Sequence, residues 1–190
     1  MGKGADVVVH SGTKYLGGHN NILAGVIGIN DDDLRARLHH HRNTIGSVMC
    51  PDDAGRLKTQ LLTFSIRLAR QNANAMKVAE FLEAHPAGAK VRYPGLASHA
   101  DRELAQAMFG NRGFGAMIKF DLLRDAEGSS RFVDDLSLHI PHIGSLGEVH
   151  TSFLHVQACF GEGYDPSTIR LSVGIEPAEQ IIGNLERALK

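Results

Sequence analysis

Only two cysteines occur among the 190 residues, Cys50 and Cys159, far apart and without metal-ligand spacing. A disulfide framework is excluded on that count, and a reduced, cytoplasmic setting is the simplest account. Charge of either sign is scarcely in excess, the formal net charge being −1. That balance gives no reason to expect nucleic acid or an anionic membrane as partner. No apolar run approaches the ~20 residues of a membrane span. The opening MGKGADVVVHS lacks the long apolar stretch of a secretion signal. Asp6 stands where a myristoylation signal carries Ser or Thr. Internal repeats and low-complexity segments are also lacking.

What remains is the composition of a globular protein, 43% hydrophobic and 22% charged. The length suffices for a sizeable core in one or two domains. Eleven histidines are many, and three are consecutive, His39 to His41. Neighbours on a helix point in different directions, so the triplet does not face one metal, and no metal is expected.

Residues 5–9 read as a buried strand of a parallel sheet, and residues 22–29 (ILAGVIGI) as a second strand. Asn30 and the acidic run Asp31 to Asp33 cap a short helix containing Leu34 and Leu38. Leu57, Leu61, Phe64 and Leu68 recur at helical spacing, which predicts one buried face. That pattern runs to Ala84, with a bend expected near residues 63–66. Beyond Pro86, β-like runs at 90–93, 116–122 and 169–173 alternate with helical runs at 98–109, 132–138 and 177–189. Alternation of this kind predicts a layered α/β unit.

The apolar run Val7 to Val9 leads into HSGTKYLGGHNN, residues 10–21. Ser11 and Thr13 bring two hydroxyls, and Gly12 lets backbone N–H groups approach a ligand. The combination suits an anion such as phosphate. Lys14 beside such a turn is a candidate Schiff-base residue, because its amine attacks an aldehyde once its pKa is lowered. The spacing is not that of a nucleotide-binding P-loop. On residue types alone, a solvated lysine after an ordinary turn explains the same pattern.

GADVVVHSGTKYLGGHNNILAG (residues 4–25) closely resembles the lysine segment of the Cys/Met-metabolism family of pyridoxal-phosphate (PLP) enzymes. SLGEVHTSFLH (145–155) resembles the family's Ser-Leu-Gly segment, and IRLSVGIEPAEQIIGNLERAL (169–189) its C-terminal end. NANAMKVAEFLEAHP, YPGLASH and GFGAMIKFDL fall between them in the family's order. The likeness covers the whole chain and corresponds to roughly the C-terminal half of a family member. The resemblance implies an α/β fold: the end of the large PLP-binding domain of a fold-type I, aspartate-aminotransferase-like enzyme (residues 1–66), then the small C-terminal domain (67–190). It implies pyridoxal 5′-phosphate as cofactor, with Lys14 as Schiff-base lysine and catalytic base and with Ser11 and Thr13 on the phosphate. Ser145 and Arg170 fall at the substrate-carboxylate positions. Arg170 also alternates with Ile169 and Leu171, so it points away from their face. Tyr15 and His19 read as structural.

The implied activity is trans-sulfuration chemistry: elimination or replacement at the β- or γ-carbon of sulfur-containing or O-acylated homoserine-type amino acids. The complete form would be a homo-oligomer, a homotetramer in the family. Several positions depart from the family pattern. Asn21 replaces an aspartate, His150 a glutamate, Lys119 a serine and Val156 a proline. Thr59, Gln60 and Leu62 replace most of an Arg-Gly-Leu-Lys-Thr helix motif. Gly144 stands where many cystathionine γ-lyases carry glutamate, which disfavours that activity. The family's ring-stacking aromatic residue and its aspartate for the pyridine nitrogen have no counterpart here. Two alternatives therefore stand beside the enzyme: a non-catalytic C-terminal fragment that needs a partner for the other half, and a histidine-based metal binder.

Overall fold

The computed structural model of the chain describes residues 4–87 and 89–190. Its backbone divides into two compact units, one ending at Phe64 and one beginning at Ser65.

In the first unit, β1 (Val7–Ser11) pairs antiparallel with β2 (Gly25–Ile29), Val9 standing opposite Ile27. The parallel sheet expected around β1 is not what is observed. Nor is the strand buried: Val9 is 70% exposed and Ile27 55% exposed. Apolar composition gave the right element, but a strand is buried only where something covers it, and these two strands form a sheet of their own. After β2, Asp31 accepts the Leu34 N–H and caps α1 (Asp32–Ile45). At 14 residues α1 is longer than the short helix expected, and none of its residues is buried. Pro51 opens α2 (Pro51–Leu61), where its missing N–H has no partner to lose. The predicted apolar face reduces to Leu57, because Leu61 is 40% exposed. The predicted bend is a break between α2 and α3 (Phe64–Ala84).

The second unit is a four-stranded antiparallel sheet in the order β3-β4-β6-β5, with β3 at Ala89–Arg92, β4 at Met117–Leu122, β5 at Ser152–His155 and β6 at Thr168–Ser172. Alternation along β4 and β6 puts Ile118, Phe120, Ile169 and Leu171 on one buried face. Helices α5 (Ala126–Ser137) and α7 (Ala178–Leu189) pack on each other, and Phe132 of α5 meets Phe120 edge to face at 6.1 Å. Val78, Leu82, Ile181 and Leu185 complete this core. Each such side chain contributes ~1.5–3 kcal/mol by leaving water. Two short helices, α4 (Arg102–Phe109) and α6 (Val156–Phe160), connect strands. β5 and α6 were not predicted. In α7, Ile181, Leu185, Ala188 and Leu189 are buried and Ile182 is half-buried.

The other sheet face is mixed, with Met117 and Leu154 beside polar residues. Lys119, Asp121, Thr168, Arg170 and Ser172 lie on it, as the alternation around Arg170 required.

Candidate active site

The lysine turn belongs to the first unit. β1 ends at Ser11, and residues Gly12–Leu16 form one wide helical turn closed by the Gly17 N–H donating to Gly12 O at 2.8 Å. The backbone leaves the helical path at Lys14. Two backbone donors strap the turn to the residue before β2: the N–H groups of Gly12 and Thr13 both reach Ala24 O, at 2.7 and 3.3 Å. The Ala24 N–H donates in return to Thr13 Oγ1 at 2.9 Å. A Cβ on Gly12 would lie 2.6 Å from the Ala24 Cβ, so only glycine permits this approach. This corrects the role expected for Gly12. Its N–H and that of Thr13 hold Ala24 rather than face a ligand; the glycine serves packing. The Thr13 hydroxyl, having accepted one bond, keeps its proton for an acceptor. Ser11 is exposed and Lys14 half-buried. His19 Nδ1 lies 2.8 Å from Gly17 O, bracing the turn from below.

Asn21 and Gln60, two positions that depart from the family pattern, meet here: Gln60 Nε2 donates to Asn21 Oδ1 at 2.9 Å. A groove of about 720 Å³ in this unit is lined by Val9, Leu23, Ile27, Leu38 and Ile45, among others, and by none of Ser11, Thr13 or Lys14.

Ser145 and Arg170 come together in the second unit. Arg170 Nη2 donates to the carbonyls of Gly144 at 3.0 Å and Ser145 at 2.8 Å. It is thus the Ser145 carbonyl that meets the arginine. The segment carrying Ser145 is held in turn by Ser172, whose buried Oγ accepts the Gly147 N–H at 2.8 Å. Gln71 of α3 donates to Glu148 O at 2.8 Å and to Val173 O at 3.2 Å. Asn74 donates to Gly174 O and Glu176 O at 3.0 and 2.7 Å. Glu176 accepts the Thr151 N–H and hydroxyl at 2.6 and 2.9 Å. These residues were missed in the sequence. The signal was present: Gln71 and Asn74 sit on the buried stripe of α3 with Val78 and Leu82, and a buried amide needs partners.

On the same sheet face, Arg92 Nη1 reaches Asp121 at 2.6 Å, and the Thr168 hydroxyl donates to Asp121 at 2.7 Å. Hydrogen bonds from Ser167 hold the nearby Asp165 carboxyl below its usual range, and the positive charges of Lys119 and Arg92 add to the effect. Among the described residues, no three His, Cys, Asp or Glu side chains gather as a metal site.

Residues 1–190 match the family of Cys/Met metabolism PLP-dependent enzymes from end to end. The chain belongs to that family. It is 37% identical over 198 residues to a cystathionine beta-lyase of Lactococcus lactis, covering 98% of this chain and 51% of the relative. Among solved structures, an apo methionine gamma lyase from Micromonospora echinospora matches with a TM-score of 0.89 at 35% identity. A cystathionine gamma synthase from Xanthomonas oryzae pv. oryzae, in complex with cystathionine, matches with 0.89 at 34%. Both matches cover 98% of this chain and 50% of the other. The chain thus spans about half the length of the relatives it matches. The shared fold is α/β.

The lysine turn of this family member suits the family's cofactor. A primary amine stands one residue from a hydroxyl with a proton to donate, on a turn that Gly12 and Ala24 fix. No helix among the described residues is long and apolar enough to cross a membrane.

Proposed function

We propose that this chain carries the C-terminal part of a PLP-dependent enzyme that acts by β- or γ-elimination or replacement on sulfur-containing or O-acylated homoserine-type amino acids. The observation that carries the reading is the strapped turn presenting Lys14, Ser11 and Thr13, in a chain that matches the family over its whole length. In this reading the first 66 residues end a large PLP-binding domain and residues 67–190 form the small C-terminal domain.

Pyridoxal phosphate, when bound, supplies an electron sink for charge developing at the substrate's Cα. Lys14 would hold the cofactor through Nζ, and its amine would serve as the base toward the substrate's Cα proton. Ser11 and Thr13 would hold the cofactor's phosphate through their hydroxyls. Arg170 would attract the substrate carboxylate by its fixed positive charge, its guanidinium being oriented by the Gly144 and Ser145 carbonyls.

The reading extends to a homo-oligomer and a cytoplasmic location. Exposed Val9 and Ile27 support the first, and the free, exposed thiols of Cys50 and Cys159 support the second. A second reading, a non-catalytic fragment that needs a partner for the other half, draws on the same exposed strands. Absorbance spectroscopy with added PLP tests the proposal. A Schiff-base band that disappears in Lys14→Ala supports the enzyme reading; the same band in both proteins, or in neither, rejects it.

A further inference from the structure

Between α5 and β5 the chain runs along the edge of β5, where His142 bridges Phe153 in parallel. The Phe153 N–H donates to Pro141 O at 3.0 Å, and the Ile143 N–H donates to Phe153 O at 2.9 Å. In a regular parallel ladder the next rung would join the His155 N–H to Ile143 O. A side chain stands in its place: the His155 N–H donates to His142 Nε2 at 3.1 Å. The ladder ends after two rungs, and the segment turns so that the Gly144 and Ser145 carbonyls meet Arg170 Nη2 at 3.0 and 2.8 Å. The His142 ring lies on Phe153, 19° from parallel, which keeps Nε2 at the strand edge. Only an unprotonated Nε2 accepts a backbone N–H. Protonation sets N–H against N–H and removes the rung. The ladder itself supplies the replacement, the Ile143 carbonyl. Taking it lengthens the ladder by one rung and draws Gly144 and Ser145 along β5, away from Arg170.

We propose that His142 is a proton-operated latch: neutral, it ends the ladder and leaves the Gly144 and Ser145 carbonyls on Arg170; protonated, it gives up its place to Ile143 and releases them. The groups around the ring set the direction. Burial of the stacked face disfavours the charged ring, and the charge of His155 on β5 adds to it. Beyond His155, the turn into β6 offers the Pro166 carbonyl, which accepts from His155 Nε2 at 2.7 Å. Asp165 in that turn is taken by the Ser167 N–H and hydroxyl. No carboxylate among the described residues favours the charged ring in the latched state. The released state therefore binds the proton more readily and gains population as pH falls. One hydrogen bond is exchanged for another, so a single proton suffices to choose between the two states. The consequence for substrate binding rests on the reading of Arg170 given above: its carbonyl partners hold it at neutral pH and leave it in mild acid.

The test follows the full chain, labelled with 15N and 13C and without cofactor, by NMR between about pH 7.5 and pH 5.5. Couplings across hydrogen bonds report the partner of the His155 amide. A coupling to His142 Nε2 is expected at the upper pH and one to the Ile143 carbonyl carbon at the lower. The Arg170 guanidinium signals are expected to shift with the same midpoint as the His142 ring. The ratio of released to latched chain rises by at most about tenfold per pH unit, the limit for one proton. His142→Gln, whose amide oxygen accepts at any pH, stays latched throughout. His142→Phe, which keeps the stack and lacks the acceptor, is released throughout, and His139→Gln responds as the wild type. Arg170 signals that titrate alike in His142→Gln and the wild type, a His142→Phe whose Arg170 signals match the latched state, or no Ile143 coupling at the lower pH overturns the proposal. Neither Lys14 nor PLP enters the measurement, so failure here leaves the cofactor reading standing, and failure of PLP labelling leaves the latch standing.

Discussion

Gln60 Nε2 donates to Asn21 Oδ1 across 39 residues of chain, joining two positions that each depart from the family pattern. Asn21 stands where the family carries aspartate and Gln60 where it carries glycine, and the two amides bond to each other. Coupled residues of this kind are non-additive. A double-mutant cycle with Asn21→Leu and Gln60→Leu is expected to show a coupling of about 0.5–1.5 kcal/mol, the net worth of one hydrogen bond. Additive effects in urea unfolding would show that the contact does not stabilise the unit.

Glu176, Thr151 and Gly174 form a polar junction in the second unit. The Thr151 hydroxyl donates to Glu176 and accepts the Gly174 N–H at 2.9 Å. A Cβ on Gly174 would collide with the Glu176 carboxylate and with the backbone at Val149 and Thr151. Gly174→Ala is therefore expected to destabilise the chain by about 1–3 kcal/mol, the usual cost of overpacking. Chemical denaturation measures it, and a midpoint equal to that of the wild type would contradict the packing described.

His142 accepts the backbone N–H of His155 through Nε2 at 3.1 Å and stacks on Phe153 with centroids 5.0 Å apart. A ring that accepts there is neutral. Burial of its stacked face, with a smaller contribution from the charge of His155, lowers its pKa from the usual 6.5. The unfolded chain then binds the proton more readily. Stability associated with His142 is complete above pH 6.5 and is lost as pH falls through the lowered folded value. The Tm of the wild type is expected to drop further than that of His142→Gln between about pH 7.5 and pH 5.5. Parallel drops would remove His142 from the pH response.

Val9 and Ile27 face each other across β1 and β2 with most of their surface in water. An apolar sheet face with open edges recruits other chains. The isolated chain is expected to elute from size exclusion as dimers or larger species and to be a poor catalyst. Val9→Lys combined with Ile27→Lys is expected to shift it toward monomer. A monodisperse wild-type monomer would count against this account.

How far the sequence could be read depended on whether the deciding contact was local. Arg170 was placed correctly because Ile169 and Leu171 flank it and alternation fixes its face. The long helix to Ala84 and the last helix followed from apolar spacing. β1 was recognised as a strand, but three successive valines present apolar surface to both sides, so its partner and its exposure were not encoded locally. β5 and α6 span four and five residues, too few for either period to show. The strap from Gly12 and Thr13 to Ala24 crosses a loop, and no local pattern reveals it. Nor does any single strand show the Arg92–Lys119–Arg170 row, which exists only once three strands are in register.

The central claim, that Lys14 is the Schiff-base lysine, is tested most directly by reducing the chain with borohydride in the presence of PLP and mapping the labelled peptides. The account predicts the phosphopyridoxyl group on Lys14 within the turn Gly12–Leu16, and no specific label in Lys14→Ala. Specific label on another lysine, retained in Lys14→Ala, would contradict it.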